Sequence, residues 1–229
     1  MSAAGVVLAG GSGVRMGAGM NKAYLPLAGR RLISWSLRAF AEVAEVGVLL
    51  LVTRPADHEL VTTTLAAELP GVEVELADGG GTRQESELAA LRHLAPRIAD
   101  GTVDAVLLHD AARPLVSHEL ITAVLREARD HGGAMPGLPA DDLATVGADG
   151  RLSGALAHAI RAQTPQGFRA APLLAAYEQA ARDGFDGTDT ASCMERYSGL
   201  PVRWVPGEQR NFKITFPHDL TVAEHLVGH

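Results

Sequence analysis

The residues best equipped for chemistry follow short apolar runs. Leu8-Ala9-Gly10-Gly11-Ser12-Gly13-Val14-Arg15-Met16-Gly17, with Asn21-Lys22 after it, is a glycine-rich stretch behind Val6-Val7. Glycines there let the backbone approach a ligand closely, and exposed amides can bind phosphate oxygens. Arg15 adds a planar fork for phosphate and Lys22 a compact charge on a flexible stem. Their plainer reading is two solvated charges at the start of a helix. Familiar glycine motifs fail on spacing. No Gly-Lys-Ser/Thr completes a P-loop. Gly11 and Gly13 start a dinucleotide fingerprint, but its third glycine position is Met16, and the second strand ends at Thr53-Arg54 without a ribose-binding acid. Val14 stands where a nucleophile elbow needs glycine.

Five further clusters carry polar chemistry. Gly79-Gly80 is followed by Arg83 and Ser86. His109-Asp110-Ala111-Ala112-Arg113-Pro114 closes an apolar run. Gln163-Thr164-Pro165-Gln166-Gly167-Phe168 and Thr188-Asp189-Thr190-Ala191-Ser192 come next, and Asn211-Phe212-Lys213-Ile214-Thr215 lies near the end. Each has a structural reading as well. Asp110 could cap a helix, Asp189 and Thr188 could form an N-terminal cap, and Lys213 could be a solvated edge charge. His109 reads as structural, and Cys193 as a small packing residue.

These clusters need a scaffold, and the hydrophobic pattern supplies one. Val6–Ala9, Gly47–Thr53 and Val103–Leu108 are continuous apolar runs, as central parallel strands should be. Val72, Val74 and Leu76 alternate as a strand, and Ala134–Leu138 is a weak one. Between them, 32–43, 56–69, 83–94 and 117–131 have helical spacing. This alternation predicts an α/β fold: a mostly parallel, Rossmann-like sheet with helices on both faces. Ligands in such sheets bind at the carboxyl ends of the strands, so the loops after Leu8, Leu76 and Leu108 are the ones to watch. Residues 139–163 break the alternation. With Asp149-Gly150 at a turn, they read as a β-hairpin arm that packs on another subunit. Beyond it, helices are expected over 172–182, 189–197 and 218–227, with a strand over 202–205. One domain over 1–229 with this appendage is the simplest organisation.

The composition is that of a soluble globular chain, with 47% hydrophobic and 21% charged residues among 229. No apolar run is long enough for a membrane span, and the N-terminus lacks a signal peptide's basic region. A formal net charge of −7 disfavours duplex nucleic acid while leaving room for a local basic cleft. One cysteine allows no internal disulfide and fits the cytoplasm. Without HExxH or CxxC, a zinc site has little support.

Taken in order, the five clusters resemble the family of 2-C-methyl-D-erythritol 4-phosphate cytidylyltransferases and the related ribitol-5-phosphate cytidylyltransferases, over essentially the whole chain. The resemblance implies CTP-dependent transfer of a cytidylyl group to an alditol phosphate, with Mg²⁺ as cofactor and a homodimer as the assembly. It implies that Arg15, Lys22 and Lys213 are catalytic cations at the phosphates. Ala9, Gly10, Gly11, Gly80 and Ser86 would hold the nucleoside. Asp110 would lie beside the ribose and the metal, with Arg113 ordering its loop. Thr164 and Thr188 would line the alditol-phosphate side. Three positions depart from the family pattern: Gly81, where an acid is usual; Leu143, where threonine is usual; and Leu156, where arginine is usual. The alternatives are another alditol-phosphate acceptor, a nucleotide-binding paralogue without activity, and an NAD-dependent oxidoreductase, which Thr53 and the misplaced glycine disfavour.

Overall fold

Short apolar strands become the buried centre of a sheet because both of their faces must be covered. In the computed structural model, which describes residues 1–11, 21–155, 158–187 and 189–228, this sheet has eight strands. Arg15, Leu156 and Thr188 lie outside the described residues. The sheet contains β1 (Ser2–Leu8), β4 (Val46–Thr53), β5 (Glu75–Asp78), β6 (Val103–Asp110), β7 (Gly133–Pro139), β10 (Ile160–Ala162), β11 (Gln166–Arg169) and β12 (Val202–Pro206). Its order is β10-β7-β11-β6-β1-β4-β5, with β12 also beside β7. β11 runs antiparallel to β6 and β7, and β10 runs antiparallel to β7; the other six strands share one direction. Two small ribbons stand apart from the sheet: β2 (Pro26–Leu27) with β3 (Arg30–Arg31), and β8 (Ala144–Val146) with β9 (Leu152–Ala155).

Alternate side chains of each strand feed opposite faces, and the helices divide accordingly. Ala3, Val7, Leu49, Leu51, Ala105 and Leu107 pack under α1 (Leu32–Ala41), α2 (His58–Glu68) and α4 (His118–His131). Val6, Leu50, Val52, Val106 and Leu108 pack under α3 (Arg83–Ala99), α5 (Ala170–Arg182) and α6 (Thr190–Tyr197). A third cluster, Leu27, Leu32, Leu115, Ile214 and Ala223, seats α7 (Pro217–Val227) beside the first ribbon. The expected α/β layering is therefore present.

Details differ where local signals compete. The strand expected from Val72 begins only at Glu75. α3 runs past Pro96 to Ala99: proline removes one hydrogen bond near the helix end, and Leu94 and Ile98 keep the apolar face buried. β10 and β11 carry little periodic signal, since they are only three and four residues long and interrupt apolar positions with Arg161 or with Gln166 and Gly167. The hairpin signal at Asp149-Gly150 corresponds to the β8–β9 ribbon, whose turn closes through Gly147 N to Arg151 O at 2.8 Å.

Candidate functional site

Strand order reverses around β1, which has β4 on one side and β6 on the other. Register sets Leu8 opposite Asp110, and Ala111 N donates to Leu8 O at 3.1 Å. The glycine loop and Asp110 thus leave the sheet side by side. The far end of that loop returns to its base. Buried Asn21 donates from Nδ2 to Ala9 O and to Asp57 Oδ2 (3.0 Å), while its Oδ1 accepts from Ala23 N (3.1 Å) and caps the short turn Lys22–Tyr24. Arg54 grips Asp57 with two bonds of 2.8 and 2.9 Å, holding its carboxyl below the usual range against the opposing effect of burial.

The loop after β5 faces the same place. Ser86 Oγ accepts from Gly80 N at 3.1 Å and donates to Thr82 O at 2.9 Å. A Cβ at Gly79 would lie 2.9 Å from Ser86 Oγ, and one at Gly80 would lie 2.3 Å from Glu85 Cβ, so glycine is required at both. A Cβ at Gly10 would lie 3.7 Å from Ser86 Oγ, so the two glycine loops meet over this hydroxyl. Thr82 and Glu85 form a capping box that starts α3, a feature worth about 1 kcal/mol.

Asp110 is the electrostatic centre. Arg83 Nη1 pairs with its Oδ1, Lys213 Nζ lies 2.8 Å from its Oδ2, and Arg113 Nε lies 3.8 Å from the same oxygen. Burial alone would raise its pKa, but these three cations outweigh burial and hold the carboxyl well below the usual range. Arg113 is itself fixed, donating to Asn211 O (2.8 Å) and Ala162 O (3.2 Å). Lys22 Nζ donates to Ile214 O at 3.0 Å, and Ile214 N donates to Ala112 O at 2.8 Å. The strap 211–215 therefore carries Lys213 and orients Lys22. Buried Gln163 anchors the strap by bonding Glu208 O at 2.8 Å and accepting from Glu208 N at 3.1 Å.

Below Asp110, His109 and Thr164 form an ordered chain. Asp110 N donates to Thr164 Oγ1 (3.1 Å), and the hydroxyl lies 3.0 Å from His109 Nδ1. His109 Nε2 lies 3.1 Å from Arg113 O. Since a carbonyl only accepts, Nε2 carries the proton and Nδ1 takes the hydroxyl's hydrogen. Burial pulls the His109 pKa down to about 4, so the ring is neutral at pH 7.

A second line of contacts leaves Asp110 through Arg83. Arg83 Nε lies 3.0 Å from Glu87 Oε1, and Glu87 accepts from Thr190 Oγ1 (2.9 Å) and Tyr177 Oη (2.5 Å). Gln84 donates to Phe185 O and accepts from Gly187 N. Asp189 caps α6 through Ser192 N at 2.9 Å, and Gln166 accepts from Ala191 N at 3.1 Å. Phe185, Gly187 and Thr190 are thus hung on α3, and Ala191 on β11.

The matching family model decides what this site belongs to. It covers residues 3–229 and describes "IspD: 2-C-methyl-D-erythritol 4-phosphate cytidylyltransferase". The chain belongs to this family. A cytidylyltransferase of that name from Cereibacter sphaeroides is 37% identical, over 100% of this chain and 98% of the relative. The bifunctional enzyme IspD/IspF of Dinoroseobacter shibae is 38% identical over 97% of this chain, which spans about half (53%) of that relative's length. The solved 2-C-methyl-D-erythritol 4-phosphate cytidylyltransferase of Thermus thermophilus is 32% identical and superposes with a TM-score of 0.75, over 100% of both chains.

Within this cytidylyltransferase fold, the candidates Ala9, Gly10, Gly11, Gly80, Arg113, Thr164 and Lys213 come from loops at one end of the sheet, with Asp110 at the end of β6, Lys22 on the short turn Lys22–Tyr24 and Ser86 in the first turn of α3. Thr164 is 4% exposed and its hydroxyl is engaged with His109 and the Asp110 amide, so it orders the strand end. Reasoning from the sequence did not give Arg83, Gln84, Glu87 or Asn21 a role. The available signal was Glu87 itself, a charge among the positions Leu88, Leu91 and Leu94 that α3 buries. In the arm, Leu143 is half-buried, and Asp142 pairs with Arg161 at 2.5 Å.

Proposed function

We propose that this chain transfers the cytidylyl group of CTP to 2-C-methyl-D-erythritol 4-phosphate, releasing pyrophosphate, as the family's name implies. The observation that carries the reading is the cluster at the end of β6, where Arg83, Arg113 and Lys213 surround Asp110, with Lys22 held one residue from Lys213 on the strap. In-line attack of one phosphate on another needs charge neutralisation and positioning, and no covalent intermediate. Lys22 and Lys213, together with Arg15, are assigned to the α-phosphate and the leaving pyrophosphate, each contributing about 3 kcal/mol in the transition state. Ala9, Gly10, Gly11, Gly80 and Ser86 hold the nucleoside; their close backbone approach over the Ser86 hydroxyl supports a base-selecting wall. Thr164 and Thr188 belong to the acceptor side.

Mg²⁺ suits the donor set. Among the described residues no group of three His, Cys, Asp or Glu gathers into a metal cage. Phosphoryl-transfer sites hold Mg²⁺ through one or two carboxylates together with substrate phosphates and waters. Asp110 is such a carboxylate, and the ion, when bound, would offset triphosphate charge.

The arm supports a homodimer, because the cross-strand pair Val146 and Leu152 is 62% and 75% exposed on the β8–β9 ribbon. Chain 1–229 acts as one catalytic domain in this reading, with 139–163 as its dimerising arm. The single, buried Cys193 suits the cytoplasm. No described helix is long and apolar enough to cross a membrane. The partners are CTP and the alditol phosphate, without nucleic acid or membrane.

Pyrophosphate release is the test, measured with CTP, UTP and ATP against 2-C-methyl-D-erythritol 4-phosphate and ribitol 5-phosphate. Release with CTP and the methylerythritol phosphate is expected. Release only with ribitol 5-phosphate would move the acceptor. No release with any pair would remove the catalytic reading.

A further inference from the structure

Glu87 is 1% exposed, and a carboxylate that deeply buried is costly unless it is paired and fully hydrogen-bonded. It projects from α3 between α5 and α6. Its Oε1 meets Arg83 Nε (3.0 Å) and Thr190 Oγ1 (2.9 Å), and its Oε2 meets Tyr177 Oη (2.5 Å). Arg83 continues to Asp110. One guanidinium therefore spans two buried carboxylates: one ends the nucleotide-side strand, and the other grips the first residue of α6. Three positions earlier on α3, Gln84 holds Phe185 O and Gly187 N of the chain entering that helix. Packing alone would be served by an apolar residue like its neighbours Leu88 and Leu91. The charge is explained by Arg83, which without Glu87 would have a single carboxylate and no fixed direction.

We propose that Glu87 is a positioning residue that ties the start of α6, the segment beginning at Thr190, to Asp110 through Arg83, so that the two halves of the site keep one spacing. The assignment of that segment to the acceptor rests on the function proposed above. Glu87 touches neither reactant. It acts through Thr190 on one side and Arg83 on the other.

Two variants test this. Glu87→Gln keeps the shape and an acceptor for a hydroxyl but removes the negative charge that faces Arg83. Thr190→Val removes only the hydroxyl that joins α6 to Glu87. Hydrogen exchange, which needs no substrate, should show amides 185–192 exchanging about tenfold faster in either variant, with 79–86 unchanged. In steady state, KM for the alditol phosphate should rise about tenfold while KM for CTP stays within twofold. The double variant should be no worse than the worse single one, because both changes break one connection. Unchanged exchange at 185–192 overturns the tie. Faster exchange with both KM values rising together overturns the positioning role and leaves a purely structural one. Activity of the parent on the methylerythritol phosphate is read separately and decides the proposed reaction, whereas the exchange result decides the tie in either case.

Discussion

Acid should loosen this protein through His109 as the pH falls below 6.5. The ring is fully buried, with one nitrogen on Arg113 O and the other taking the Thr164 hydroxyl, so a second ring proton has no acceptor in place. Burial lowers its pKa from 6.5 to about 4. The unfolded imidazole binds a proton near pH 6.5 and the folded one only near pH 4. Between these values the unfolded chain binds more protons, so stability is full above 6.5 and falls as pH drops toward 4. The gap corresponds to a ceiling of about 3 kcal/mol. From pH 7 to pH 5 the loss from this ring alone is about 2 kcal/mol. Urea unfolding of the parent and of His109→Gln at pH 7, 6 and 5 isolates it, since other groups titrate alike in both. The variant should be less stable at pH 7 yet lose about 2 kcal/mol less on the way to pH 5. Parallel losses would show that the ring is not held neutral by burial and would undo the proton order assigned to Asp110, Thr164, His109 and Arg113.

Lys213→Ala should lower kcat about 100-fold while changing unfolding free energy by less than about 1 kcal/mol, because its pair with Asp110 is 38% exposed on the lysine side; pyrophosphate release and urea unfolding check the two halves. Lys22→Ala should behave alike, and full activity in either variant with CTP saturating would remove that cation from the mechanism. Chelation should abolish turnover and Mg²⁺ should restore it, with Asp110→Asn demanding much more metal; undiminished turnover in excess chelator would remove the metal from the reaction.

The strand ends were legible because unbroken apolar runs stop where polar chemistry begins. Val103–Leu108 gives way to His109-Asp110, and Val6–Leu8 to the glycines, so the sequence placed both clusters at one edge of a sheet. Register, which brings Leu8 opposite Asp110, depends on which strands become neighbours, and no local pattern encodes that. β11 escaped notice for a related reason. Its four residues owe their strand conformation to a slot between β6 and β7, with Gly167 placed where a Cβ would lie 2.8 Å from Leu107. Arg83 was visible as part of a motif, but its partners come from 4 and 27 residues away, and only the folded chain brings Asp110 and Glu87 onto one guanidinium.

On the proposed function, that convergence is how an acidic chain would receive a triphosphate. The formal net charge is −7, yet the described residues around Asp110 set four cations, Lys22, Arg83, Arg113 and Lys213, against two carboxylates, Asp110 and Glu87. The local balance is +2, at strand ends walled by low-dielectric core. Field lines concentrate in such a cleft, raising the local concentration of anions whatever the sign of the whole surface. The two carboxylates do not neutralise the site. They fix the directions of Arg83 and Lys213, so that little reorganisation remains when a phosphate replaces a carboxylate oxygen as partner. Asp110 can serve this way throughout the neutral range because its neighbours hold it ionised. Glu87 is more deeply enclosed, and burial raises its pKa. Arg83 and two hydroxyl donors oppose that rise without cancelling it. Removing either acid would free cations to collapse onto each other's acceptors, and the cleft would keep its charge while losing its aim.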